Sequence, residues 1–213
     1  MPADIRRIHL AHLALRTHAD DICRGLAAMG PDDSERAAAL NSLWNLYAAG
    51  LRGHDSAEDS LCWPVVVERD PEFKEIGESM DRQHRALEGQ VTAAAAALGR
   101  LAGKPDRAGI AAGVEAMATL RTSLENHLAD EEDRALPFVE RLFTDDDMAA
   151  IERRRKSLPV ELRALFLAAE EGAARRAGQT DLLGALPMGD RVQLTLHWRR
   201  RYKKLVGEVL AIR

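Results

Sequence analysis

His127-Leu-Ala-Asp-Glu131-Glu-Asp-Arg-Ala-Leu-Pro137 is echoed earlier in the chain by His54-Asp-Ser-Ala-Glu58-Asp-Ser-Leu-Cys-Trp-Pro64. Both read His, three residues, Glu, an acid, four residues, Pro, and both run on through valine into Glu-Arg. On a helix a gap of four residues is about 400° of rotation, so the two side chains sit roughly 40° apart and one turn up. An imidazole and a carboxylate stacked in this way can grip one metal ion or two adjacent ones. The pattern therefore predicts helices, and helices whose apolar faces are interrupted by metal-binding groups.

The rest of the chain agrees with an all-helical protein. Of its 213 residues 30% are charged and only 4% aromatic, with abundant Ala, Leu, Arg and Glu. That length can bury a real core. No stretch approaches the roughly 20 apolar residues of a membrane span, and the start Met1-Pro-Ala-Asp-Ile-Arg-Arg7 lacks the apolar core of a secretory signal. Two cysteines, Cys23 and Cys62, make no disulfide framework and too few thiolates for a closed Cys-type zinc site, so a reducing, cytoplasmic setting is expected.

Apolar residues recur at bundle-helix spacing in four long segments. The first carries Ile5, Ile8, His12, Leu15, Ala19, Ile22, Leu26 and Met29, and ends at Gly30-Pro31-Asp32-Asp33, which also supplies an N-cap for the next helix. The second carries Ala37, Leu40, Trp44, Tyr47, Leu51, His54, Glu58 and Leu61, with Pro64 expected to kink or close it. Val65-Val66-Val67 has no second strand-like run to pair with and reads as a bent helix end. The third follows Asp70-Pro71 with Phe73, Ile76, Met80, His84, Leu87, Val91, Ala94, Leu98 and Leu101. The fourth carries Ile110, Val114, Met117, Leu120, Leu124, His127, Glu131, Ala135, Phe138 and Leu142. Short helices are expected from Thr144 to about Lys156, from Pro159 to about Arg176, and from Asp190 through Ile212. Short links imply antiparallel neighbours, hence an up-down-up-down four-helix bundle over residues 1–145 with a further helical unit, 146–213, packed on it.

Each long helix has its seam broken by a histidine (His12, His54, His84, His127), and Glu58 and Glu131 break two of them again one turn later. Unpartnered polar groups in a bundle interior cost a few kcal/mol each; a shared metal site removes that cost. Imidazole and carboxylate without thiolate suit iron, manganese or zinc. Four histidines and two carboxylates exceed the needs of one ion, so two ions bridged by Glu58 and Glu131 are expected, with iron the first candidate. In the first helix His12 lies in the seam, whereas His9 is about 60° and His18 about 240° away, and these two read as partly exposed polar residues. The alternative ferritin-like pattern needs Glu-x-x-His on two helices; the nearest here is Asp81-x-x-His84.

His54-x-x-x-Glu58, His84 in Met80-Asp-Arg-Gln-His84, His127-x-x-x-Glu131-Glu132 and the two Glu-to-Pro segments together resemble the hemerythrin-like (HHE cation-binding) family over about residues 5–142. The resemblance implies a four-helix bundle holding a non-haem di-iron centre bridged by two carboxylates and an oxo or hydroxo group, with Zn or Mn as possible substitutes. It implies metal ligands at His12, His54, Glu58, His84, His127 and Glu131. Where the founding oxygen carriers of that family have a second helix-three histidine, this chain has Glu88; ligation, hydrogen bonding to a ligating imidazole, and a solvated flank position all remain open for it. Asp55 and Glu132, each beside a ligand, read as rim groups or as hydrogen-bonding supports of the ligands, Cys62 as a small core residue, and Trp44 and Tyr47 as core, with Tyr47 able to reach the metal pocket.

The expected activity is binding of, or reaction with, O2 or a small oxidant such as peroxide or nitric oxide, in sensing, storage or detoxification. Any catalysis would be metal-centred, because no acid–base constellation stands elsewhere. The competing function is a non-enzymatic interaction protein with a structural metal and a basic tail. Residues 1–150 carry 16 basic and 27 acidic side chains, whereas residues 151–213 carry 14 and 7. His197-Trp-Arg-Arg-Arg-Tyr-Lys-Lys204 could meet nucleic acid or an anionic membrane surface. Docking against the acidic bundle, there to cap or gate the site, is the preferred reading, with no nucleic acid expected. Nothing in the sequence fixes the oligomeric state.

Overall fold

Side-chain caps start the helices where the chain changes direction. Asp33 accepts from the Arg36 amide, Asp106 from Gly109, and Thr144 and Asp147 form a reciprocal capping box. The computed structural model describes residues 2–103, 105–186, 189 and 196–210, with backbone alone at 196 and 197. Its helices are α1 (Arg6–Ala27), α2 (Ser34–Ala57), α3 (Trp63–Arg69), α4 (Lys74–Gly99), α5 (Arg107–Asp130), α6 (Leu136–Leu142), α7 (Asp145–Lys156), α8 (Val160–Ala177) and α9 (Leu196–Leu210). No strand occurs among the described residues, and Val65, Val66 and Val67 lie inside α3. The part of the last helix expected from Asp190 to 195, and Ile212 at its end, lie outside the described residues.

α1, α2, α4 and α5 pack in cyclic order, each against the next and α5 back against α1. The chain is an all-helical bundle with added helices, as its periodicity predicts. The bundle core is split in two along its length. One apolar cluster contains Leu15, Ile22, Leu43, Leu51, Leu87, Leu124 and Leu128. The other contains Cys62, Trp63, Val66, Phe73, Met80, Ala135 and Val139. On every bundle helix the predicted metal-binding histidine falls between the two clusters, so a polar layer interrupts an otherwise apolar interior.

α2 and α5 do not run straight into α3 and α6. At Glu58–Cys62 and Glu131–Ala135 the helix widens to a π-turn, closed by Trp63 N–H donating to Glu58 O and Leu136 N–H donating to Glu131 O. The cause is the next residue in each case. Pro64 and Pro137 have no N–H and their rings clash with the carbonyl four residues back, so the turn opens rather than continuing as α.

α8 and α9 cover one side of the bundle, against α1 and α2. Their contact is largely apolar: Leu10 joins Leu167, Ala168, Tyr202 and Val206 in a third cluster. Charge pairing between acidic bundle and basic tail contributes at Arg176–Asp21 (2.6 Å), but Arg7–Glu170 (2.7 Å) runs the other way. Space is tight: a Cβ on Gly172 would stand 2.5 Å from Tyr202 Cε1, and one on Gly25 would stand 2.6 Å from Val209 Cγ1. Val209, near the C-terminal end of α9, also packs with Leu40, about 20 Å along α2 from His54. The other end of α9, with Trp198 and Tyr202, packs with Leu10, two residues before His12.

This docking also corrects the reading of His18 as partly exposed. It is buried, with Nδ1–H donating to Ala14 O and Nε2 accepting from Tyr202 O–H. Arg176 donates to both Asp21 and the Tyr202 oxygen, completing the network. Helical phase places His18 off the bundle seam; what buries it is the covering by α8 and α9, which bundle periodicity does not register. Burial drops the His18 pKa to about 4. A base whose folded pKa is depressed stabilises fully above its unfolded value near 6.5 and loses that contribution as pH falls towards 4. Urea unfolding of wild type and His18→Gln at pH 7.5 and 4.5 is therefore expected to show the variant losing about 2 kcal/mol less over that interval. Parallel losses would contradict a neutral, buried His18.

Candidate metal centre

The polar layer brings six of the seven residues singled out by sequence into one place. His12 comes from α1, His54 from the last turn of α2, His84 from α4 and His127 from the last turn of α5, while Glu58 and Glu131 head the two π-turns. His12 and Glu131 have no exposed surface, and His127, Glu58 and His84 are nearly as buried. All four imidazoles turn Nε2 towards the two carboxylates. Nε2 of His12 is 3.4 Å from Glu131 Oε2, that of His127 3.7 Å, and that of His54 4.0 Å. Nε2 of His54 is 3.0 Å from Glu58 Oε1, and that of His84 is 3.5 Å from Glu58 Oε2. The rings of His12 and His54, and of His84 and His127, meet edge to face at 4.9 and 4.8 Å.

These atoms fall into two groups, each able to hold a cation. His12, His54, Glu58 and Glu131 form one; Asp55, Glu58, His84 and His127 form the other, with the donor atoms of each lying within 4.8 Å of one another. Glu58 belongs to both. The four Nε2 atoms, Glu58 Oε2 and both oxygens of Glu131 are buried without a hydrogen bond of acceptable geometry. A buried donor or acceptor left unsatisfied costs about 1–3 kcal/mol, and native interiors do not collect seven of them in one layer without a purpose. Cations between the groups would satisfy all seven at once. The donor set fits: four imidazole nitrogens and carboxylate oxygens, with neither cysteine among them.

The outward ring nitrogens fix which nitrogen is presented. Nδ1–H of His12 donates to Glu132 Oε1 at 2.8 Å, that of His84 to Asp59 Oδ1 at 2.7 Å, and that of His127 to Gln83 Oε1 at 2.9 Å. Glu132 is held in turn by both Arg16 Nη atoms (2.7 and 3.1 Å), and Gln83 by donation to Asp130 (2.8 Å). Such outer partners set the tautomer and leave Nε2 free for a metal.

Without cations the layer balances its charge unevenly. Burial and then the neighbouring His12 hold the His54 pKa near 3, and burial holds His127 near 4, so both are neutral ligands at pH 7. Burial also opposes charge on His12, but Glu131 and then Glu132 overcome it and raise that pKa to about 9. His12 therefore has a proton to lose before it can ligate. Of the two glutamates, burial followed by the charge of Glu131 pushes Glu58 well above the carboxylate range, whereas His12 and His54 outweigh burial and hold Glu131 below it. Burial lifts Asp55 to about 7.

Glu88 stands apart. Its carboxylate is half exposed and takes two hydrogen bonds from Arg52, at 2.8 Å each, and the structure does not bring it to either group. Asp55, read from sequence as a rim group or a support of the ligands, comes closer than that: it joins the second group and its Oδ1 is buried without a hydrogen bond. The signal for it was the i, i+3 step from Asp55 to Glu58, one turn on the same helix. Asp59 and Gln83 were not singled out as partners for the imidazoles; they belong to other turns, and only the packing of α4 on its neighbours reveals them. Glu132 does take the role of a flanking group. A further grouping of His9, His12 and Glu132 lies on the Nδ1 side of His12, where Arg16 already pairs with Glu132. Trp44 and Tyr47 stack at 5.7 Å within the first apolar cluster, and Cys62 is a buried member of the second.

Searches of curated proteins and of solved structures each found no match. A family model, that of the hemerythrin HHE cation-binding domain, matches residues 3–139. That range contains all of the polar layer and all four bundle helices, and on sequence and geometry together the chain belongs to the hemerythrin HHE cation-binding domain family.

Proposed function

We propose that the protein holds two ions, iron the first candidate, and uses them to bind or react with O2 or a small oxidant such as peroxide or nitric oxide. One ion would be held by His12, His54 and Glu131, the other by His84, His127 and Asp55, with Glu58 common to both. The observation that carries this reading is the sharing of Glu58 between two groups of buried, unsatisfied donor atoms. Bound iron would supply reversible coordination of O2-derived ligands and the electrons for their reduction. The protein's own part is to hold the imidazoles in the right tautomer through Glu132, Asp59 and Gln83, and to keep bulk water away with the apolar clusters on either side.

The test is anaerobic loading with ferrous iron followed by exposure to O2 or hydrogen peroxide. The expected result is about two irons per chain, with charge-transfer absorption appearing as the oxidant is consumed. Stoichiometric iron that responds to neither oxidant would favour a structural metal and contradict the proposed reactivity.

A further inference from the structure

Ions and small ligands must enter a layer that is closed on most sides. His12, Glu131 and His127 are at most 2% exposed, and apolar clusters seal the layer along the bundle axis. The surface opens differently beside the second group. A cleft of about 350 Å³ lies between α4 and the stretch of α2 that leads into its π-turn, and its lining includes Asp55 and His84. Asp59, which accepts from His84 Nδ1–H, lines it as well, as do Arg52 and Glu88. The last two face each other across the helices: Arg52 Nε and Nη2 donate to the two oxygens of Glu88, each at 2.8 Å, with both side chains about half exposed.

The geometry points to this cleft as the passage by which metal ions enter and leave the centre, with the Arg52–Glu88 pair as a bar across its mouth. The cleft ends on Asp55 and His84, donors of the second group; Arg85 also lines it, and the carboxylates of Asp55 and Asp59, inward of the Arg52–Glu88 pair, suit a divalent cation that has passed it. A half-exposed ion pair suits a bar, because it opens at little cost. Such pairs contribute so little to stability that breaking one changes an equilibrium only about two- to fivefold. The inference rests on the reading of the layer as a metal centre and gives Glu88 a role other than ligation.

A gate and a ligand leave different kinetic marks. Removing a gate speeds entry and exit by the same factor and leaves affinity unchanged; removing a ligand speeds exit and weakens affinity. Cobalt(II) uptake by the metal-free full chain is followed by absorbance in a stopped-flow instrument, and loss by transfer to excess EDTA. Glu88→Ala and Arg52→Ala are each expected to accelerate both processes roughly two- to fivefold with an unchanged dissociation constant. The double variant is expected to do no more than either single one, because each alone abolishes the same pair. Arg52→Glu combined with Glu88→Arg should restore wild-type rates.

Unchanged rates in both single variants would overturn the inference, as would faster loss without faster uptake, which marks Glu88 as a ligand. Both outcomes presuppose that wild type fills its sites. Wild type that binds no cobalt at all would instead defeat the reading of the layer as a metal centre, so the two failures are distinguishable.

Discussion

Metal loading is expected to raise the stability of the folded chain by about 4 kcal/mol per ion when the free metal is a thousandfold above its dissociation constant. For a chain of this size two ions then correspond to a rise in Tm on the order of 20 °C. The reason is local. In the metal-free layer burial and the charge of Glu131 push the Glu58 carboxyl well above the usual carboxylate range, and seven donor atoms lack partners. All of that cost falls on the folded state alone, and cations bound between the groups remove it. Thermal unfolding of metal-loaded and EDTA-treated protein checks this. Coincident melting curves would mean that the layer tolerates its unsatisfied atoms and does not bind cations tightly.

Glu58→Gln is expected to separate ligand from scaffold. In the metal-free protein burial and the charge of Glu131 push the Glu58 carboxyl well above the usual carboxylate range, towards its neutral form, so replacement by a neutral side chain of the same shape should change stability by less than about 1 kcal/mol. In the loaded protein the same change removes the one carboxylate common to both groups. A carboxamide oxygen is a poor bridging ligand, so metal content should fall from about two ions per chain to less than one. Denaturant unfolding in EDTA, set beside metal analysis after loading, gives both numbers for the same variant. A large loss of metal-free stability would show that Glu58 serves the fold; full metal content would show that it is not a bridge.

Much of this was legible before any coordinates. The repeated His-x-x-x-Glu turn, placed in the apolar seam of two helices and matched by single histidines in the seams of two others, suffices to predict the bundle and the convergence of His12, His54, Glu58, His84, His127 and Glu131. Seam phase separates His12 from His9 and His18, because one face of α1 must look inward. The same argument stops at the bundle's edge: His18 is buried by α8 and α9, whose docking depends on tertiary contacts such as Gly172 against Tyr202.

Glu88 shows a second limit, and one the sequence could have resolved. His84-x-x-x-Glu88 has the same spacing as the other two pairs, yet Glu88 faces Arg52. Glu58 and Glu131 each have a proline six residues later, Pro64 and Pro137, and each heads a π-turn; six residues after Glu88 the chain has Ala94, and α4 continues as a regular helix. The proline, rather than the His–Glu spacing alone, distinguishes the inward glutamates. Asp55 is the converse case. Its neighbour His54 fills the seam, so simple phase places Asp55 at the rim, but the second group draws its donors from beside the seam as well as from within it.

Anomalous scattering from crystals of the metal-loaded protein tests the central claim most directly. Two peaks are expected, one among His12, His54, Glu58 and Glu131 and one among Asp55, Glu58, His84 and His127, with the Glu58 carboxylate between them. A single peak, or peaks away from this layer with the four Nε2 atoms still unengaged, would contradict it.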